Sequence, residues 1–216
     1  MTNSPPQGPH EGQTALHSGA PLGQARSAMI LVHGRGASAE SILTLAFELG
    51  RPDFAYLAPQ AAGYTWYPNS FLAPIASNEP GISSGMAVLA ALLRQLEAAS
   101  IPAERTILLG FSQGACLASE FSARHARRYG GVVALSGGLI GPPGTPRDYP
   151  GSLEGTPVFV GCSDIDPHIP KSRVEETGDV LRRLGGAVDL RIYPGMGHTV
   201  NADEIAAVQA IMDALA

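Results

Sequence analysis

Residues 107–120, "ILLGFSQGACLASE", hold Ser112 between Gly110 and Gly114, directly after an apolar run and directly before a helix-forming stretch. At a strand-to-helix junction the pattern G-x-S-x-G can present a nucleophile. The turn is so tight that side chains at the glycine positions would collide with neighbouring elements, while the serine takes strained dihedrals that lift its hydroxyl above the sheet. A helix beginning at Gln113 adds free N–H groups and partial positive charge beside an oxygen that becomes negative during acyl transfer. The plainer alternative is that Ser112 caps that helix.

A serine hydroxyl is a poor nucleophile at neutral pH, so it needs a base within hydrogen-bond reach and a third group to fix the base's tautomer. In sheets that carry this elbow, the chain order is serine, carboxylate, histidine. His125, His168 and His198 follow Ser112. His125 falls inside the helical stretch and is expected at the surface, while His168 lies two residues beyond Asp166 and is better suited to a pocket rim. His198, in "YPGMGHTVN", follows the last strand, and Gly195 and Gly197 let its loop swing the ring over the sheet edge. It is the expected base. The acid is Asp164 or Asp166, and spacing does not separate them. Two oxyanion donors are expected: the N–H of Gln113 and, from "HGRGAS" after the first strand, that of Arg35, where Gly34 and Gly36 permit close approach.

These residues need a scaffold whose strand ends converge. Apolar runs at 28–34, 54–60, 105–111, 130–139, 156–164 and 188–195 read as strands, and 38–50, 83–100, 113–128, 170–185 and 202–216 as helices. Continuously apolar strands imply burial on both faces, which a parallel sheet flanked by helices provides. The fold class is therefore α/β, a mostly parallel doubly wound sheet with helices on both faces. Ligands of such sheets bind beyond the carboxyl ends of the strands, where every candidate above falls. Residues 28–216 form one domain. Residues 1–27, rich in Pro, Gly, Ser and Gln, read as a flexible or surface-draped segment in which "TALHSG" could add an edge strand.

With 216 residues, 44% hydrophobic and 15% charged, the chain can bury a core. A net charge of −5 argues against a phosphate-tracking surface, and Lys171 is the single lysine. Nucleic acid and stable membrane association are not expected. Cys116 and Cys162 fall short of a disulfide framework and lack metal-site spacing, so both are expected as buried thiols. No apolar stretch approaches a membrane span and the N-terminus has no basic start before an apolar core, so a cytoplasmic location is expected. No cofactor and no metal are expected. Trp66, Tyr67, Phe71 and Leu72, after the second strand, would give an apolar acyl or aryl site if they face a pocket and would cover the core otherwise.

Taken in order, "LVHGRGAS", "APQAAGYTWYPNSFLAP", "GFSQGA", "DIDPHIP" and "GMGH" resemble the phospholipase/carboxylesterase family of α/β-hydrolases, which includes acyl-protein thioesterases and grades into dienelactone hydrolase-like proteins. The resemblance covers about residues 28–214. It implies Ser112 as nucleophile, His198 as base, the Asp of the D-P-x-[VI]-P element, here Asp166, as acid, and the Arg35 and Gln113 amides as oxyanion donors. Many relatives have His-Gly where this chain has Cys162-Ser163, and an apolar residue at His168. Dienelactone hydrolases proper use cysteine as nucleophile, so Ser112 favours ordinary ester cleavage. The expected activity is a cofactor-free serine carboxylesterase acting on small or short-chain esters through an acyl-enzyme. Acyl thioesterase or lysophospholipase action, and a ligand receptor on a hydrolase scaffold, are the alternatives. The expected partner is a small-molecule ester, with a homodimer left open.

Overall fold

The structure, a computed structural model, describes residues 8–215. Seven strands form one sheet: β1 (Ala15–Gly19), β2 (Ser27–Val32), β3 (Phe54–Pro59), β4 (Thr106–Phe111), β5 (Gly131–Leu135), β6 (Pro157–Ser163) and β7 (Ala187–Tyr193). Their spatial order is β1-β3-β2-β4-β5-β6-β7. Every pairing is parallel except that of β1, which adds antiparallel to β3 with Ala15 opposite Pro59. The "TALHSG" stretch thus becomes an edge strand.

Side-chain alternation divides the apolar residues between two faces. On β2, Met29 and Leu31 join one core with α1 (Ala39–Leu49) and α5 (Ala202–Asp213); Ile30 and Val32 join the other with α2 (Gly81–Ala98), α3 (Gln113–Arg124) and α4 (Lys171–Arg183). This two-sided burial is why the central strands are unbroken apolar runs. α1 begins at a reciprocal capping box between Ser38 and Ser41 and stops at Gly50, whose φ of 65° suits glycine.

Several elements are shorter than the apolar runs suggest. The helix read as 113–128 ends at Arg124, because Tyr129 is needed in the core, where its hydroxyl donates to the His125 carbonyl. The strand read as 130–139 ends at Leu135: Ser136 adopts a φ of 51°, and the buried chain beyond it turns toward α3 and α4. Burial alone does not make a residue part of a strand.

Candidate active site

β4 ends at Phe111 and α3 begins at Gln113, leaving Ser112 alone in the turn with φ 55° and ψ −120°. Such a conformation is costly for a residue with a Cβ and persists where the surroundings impose it. The surroundings here are backbone. A Cβ on Gly110 would strike the main chain of Gly114, and one on Gly114 would strike the carbonyl of Val32. The Ser112 side chain makes no capping hydrogen bond to α3; the capping alternative is not what the geometry adopts.

The hydroxyl instead meets His198. Nε2 of His198 lies 2.9 Å from Ser112 Oγ, and Nδ1 lies 2.7 Å from Oδ2 of Asp166. Asp166 is fully covered and accepts two further bonds at Oδ1, from the N–H groups of His168 (2.8 Å) and Ile169 (3.1 Å). Burial opposes ionisation of this carboxyl, but the bond from His198 and the backbone donors outweigh it and hold its pKa below the usual carboxylate range. An ionised Asp166 accepts from Nδ1–H, which leaves the Nε2 lone pair facing the serine.

Asp164, which spacing left equal to Asp166, is used differently. Its Oδ1 accepts from the N–H of Gly195 at 2.8 Å and so ties down the loop that carries His198. His125 caps the end of α3 and is exposed, away from this cluster.

A second set of contacts fixes the opposite wall. His33 Nε2 accepts from the N–H of Ala61 (3.1 Å), so its Nδ1 carries the proton and donates to the Gly34 carbonyl (2.7 Å). The neutral ring, kept so by burial, holds the turn that presents Arg35. The Arg35 guanidinium donates to the carbonyls of Pro68 (2.9 Å) and Asn69 (2.6 Å). Gln113 accepts from the N–H of Trp66 (2.8 Å) and donates to the carbonyl of Tyr67 (2.8 Å). The backbone N–H groups of Arg35 and Gln113 have no protein acceptor among the described residues. Gln113 opens a helix, where the first N–H groups have no partner within it.

Between these walls lies a cavity of about 470 Å³ containing Ser112, His198, Arg35 and Gln113. Tyr67, Phe71 and His168 line it; the His168 ring meets the His198 ring edge-on at a centroid distance of 4.9 Å. Two expected lining residues lie elsewhere. Trp66 is fully buried, with its indole N–H donating 2.9 Å to the His33 carbonyl, so it braces the Arg35 turn from within and does not reach the cavity. Leu72 packs at the edge of the core, outside the lining. Sequence reasoning missed Phe111, Cys116 and Ile169, which do line it. Phe111 and Cys116 could have been found, since a residue beside the elbow serine and one a turn into α3 must flank its hydroxyl. Burial pushes the thiols of Cys116 and Cys162 up to about 12, so both stay protonated at neutral pH. Among the described residues, no group of three or more His, Cys, Asp or Glu is placed to hold a metal ion, and no helix is long and apolar enough to cross a membrane.

Comparison with known proteins follows the same lines. A family model described as Phospholipase/Carboxylesterase matches residues 19–216. A solved phospholipase/carboxylesterase from Dyadobacter fermentans is 41% identical, covers 93% of this chain and 96% of its own, and superposes with a TM-score of 0.89. Solved esterase PE8 is 27% identical with a TM-score of 0.77, over 94% of this chain and 99% of its own. Acyl-protein thioesterase 1 of Debaryomyces hansenii is 28% identical over 231 residues, 92% of this chain and 95% of that protein.

Proposed function

The chain belongs to the phospholipase/carboxylesterase family of α/β-hydrolases, and on that premise we propose that it is a serine carboxylesterase cleaving small or short-chain esters through an acyl-enzyme intermediate. The observation that carries this reading is the unbroken hydrogen-bond line from Ser112 Oγ through His198 to a buried, ionised Asp166. In the first half-reaction Ser112 Oγ attacks the ester carbonyl carbon and its proton passes to Nε2 of His198. The carbonyl oxygen gains the negative charge and takes hydrogen bonds from the N–H groups of Gln113 and Arg35, donors that need not reorganise as the charge develops. The imidazolium then returns the proton to the departing alcohol oxygen. Water repeats the sequence on the acyl-enzyme. Asp166 does not take the proton; it holds the ring and stabilises its positive charge.

A second reading, thioester cleavage, uses the same machinery and is supported by the likeness to acyl-protein thioesterase 1 over nearly the whole chain. A receptor role is disfavoured, because a receptor has no need of the complete proton line. The test is hydrolysis of p-nitrophenyl acetate together with labelling by a fluorophosphonate probe. The wild type should do both, and Ser112→Ala should lose the label and about 10⁴- to 10⁶-fold in turnover. A wild type that neither labels nor turns over favours the receptor, and a labelled Ser112→Ala means another serine is the nucleophile.

A further inference from the structure

His198 and Phe111 are shared between two cavities. Beyond them, on the side away from Tyr67 and Cys116, lies an open groove of about 400 Å³. Its walls are Ser41, Thr44 and Leu45 of α1 on one side and Val200 on the other. Among the described residues, no Asp, Glu, Lys or Arg lines it, and its remaining titratable neighbour, His33, is held neutral by the tautomer described above. The first cavity, by contrast, contains the Arg35 side chain.

We propose that this groove is the subsite for the leaving group, and that it takes an uncharged, apolar alcohol or thiol moiety extending several carbons from the scissile bond. The inference rests on the serine-hydrolase reading above and adds a substrate class to it. Its basis is the direction in which a tetrahedral intermediate must fall apart. The oxyanion is fixed toward the Gln113 and Arg35 amides, and the departing oxygen must receive its proton from His198 Nε2, so the leaving group sits on the His198 side. The acyl chain is left with the cavity bounded by Cys116, Tyr67 and Phe71. A group departing past His198 crosses the Phe111 ring, whose centroid is 5.0 Å from that of the imidazole, and enters the groove. Gly34 keeps this exit low: its own Cβ would sit 3.3 Å from that of Ser112, and it lines the groove. Bond-making and bond-breaking are those of ordinary acylation. Oγ bonds to the carbonyl carbon, the carbon–oxygen bond to the alcohol breaks, and the serine proton leaves with the alcohol by way of His198.

The experiment compares acetate esters of ethanol, butanol and hexanol. These share one acetyl-enzyme, and their alcohols differ little as leaving groups, so kcat/KM reads contacts of the alcohol during acylation. Each methylene entering the groove should raise kcat/KM by about two- to fourfold, the value for partial to full burial. Thr44→Trp, at an exposed position on α1 outside the proton line, should fill the groove and bring the hexyl-to-ethyl ratio close to one. It should leave the ratio of p-nitrophenyl butyrate to p-nitrophenyl acetate within about twofold of wild type, since the two esters share a leaving group and their ratio reads the acyl cavity alone. A wild type that cleaves all three acetates equally, or a Thr44→Trp variant with an unchanged hexyl preference, overturns the subsite while leaving the esterase reading intact. Failure to cleave any ester would overturn that reading instead.

Discussion

The two walls of the site are built on different terms. On the β6–β7 side, carboxylates do the positioning: Asp166 holds the imidazole, Asp164 holds its loop, and Glu204, in the first turn of α5, closes a capping box with Asn201. On the side formed by the β2 and β3 loops the work is done by neutral or permanently charged groups bonded to backbone: Gln113 to Trp66 and Tyr67, Trp66 to His33, Arg35 to Pro68 and Asn69. The first wall therefore holds groups whose protonation changes with pH, whereas the second is a frame of groups that keep one charge state.

The largest separation between the walls should come from Asp166→Asn. An amide cannot hold the imidazole in the required tautomer, and turnover should fall about 10³- to 10⁴-fold with little change in KM. Asp164→Asn keeps an acceptor for the Gly195 N–H and should cost less than about tenfold. Equal losses in the two variants, measured as kcat on p-nitrophenyl acetate, would erase the distinction between holding the ring and holding its loop.

Next in size is the pH dependence within the carboxylate wall. Asp166 and Glu204 are both covered by protein yet pushed in opposite directions: three donors hold Asp166 down, while burial, with one oxygen unpartnered, pushes Glu204 up to about 7. The sign follows from linkage. A depressed carboxyl stabilises the fold above its unfolded pKa and loses that contribution as pH falls through the folded value. The native state with a raised carboxyl binds a proton that the unfolded chain has released, so its contribution is present below about pH 4.5 and declines as pH rises to about 7. Glu204→Gln should remove about 2 kcal/mol of this decline, so that Tm falls less between pH 5 and pH 8 than in the wild type. An unchanged slope would show that Glu204 ionises freely.

The smallest effect on catalysis belongs to the neutral wall. Trp66→Phe removes one indole N–H and leaves the His33 carbonyl without that donor, which should cost about 1–3 kcal/mol in urea unfolding. KM for p-nitrophenyl acetate should change by less than about threefold, since the ring does not touch the cavity. A rise in KM without loss of stability would return Trp66 to substrate binding.

Much of this arrangement was legible in the residue order. The elbow could be read because its glycines are required by backbone collisions that any strand-to-helix turn of this kind imposes, and His198 because flexible glycines flank it after the last apolar run. Asp164 and Asp166 could not be separated by spacing. Two residues apart in one loop, they differ only in which N–H groups the folded chain brings to each, and the resemblance to known hydrolases, rather than the spacing, distinguished them. Trp66 was ambiguous for a related reason. An aromatic residue after a strand satisfies core and pocket equally, and the carbonyl that its N–H finds belongs to His33, 33 positions away.

By itself, the amino-acid order determined the α/β architecture, the strand ends at which the candidate residues gather and the serine and histidine that meet there, because local sterics and hydrophobic burial act over neighbouring residues. Only the tertiary structure decided which N–H groups hold each carboxylate, which aromatic side chains face the cavity and that a second groove opens behind His198. Those outcomes depend on distances between segments far apart in the chain, and hydrogen-bond direction and packing fix them only once the sheet has brought the loops together.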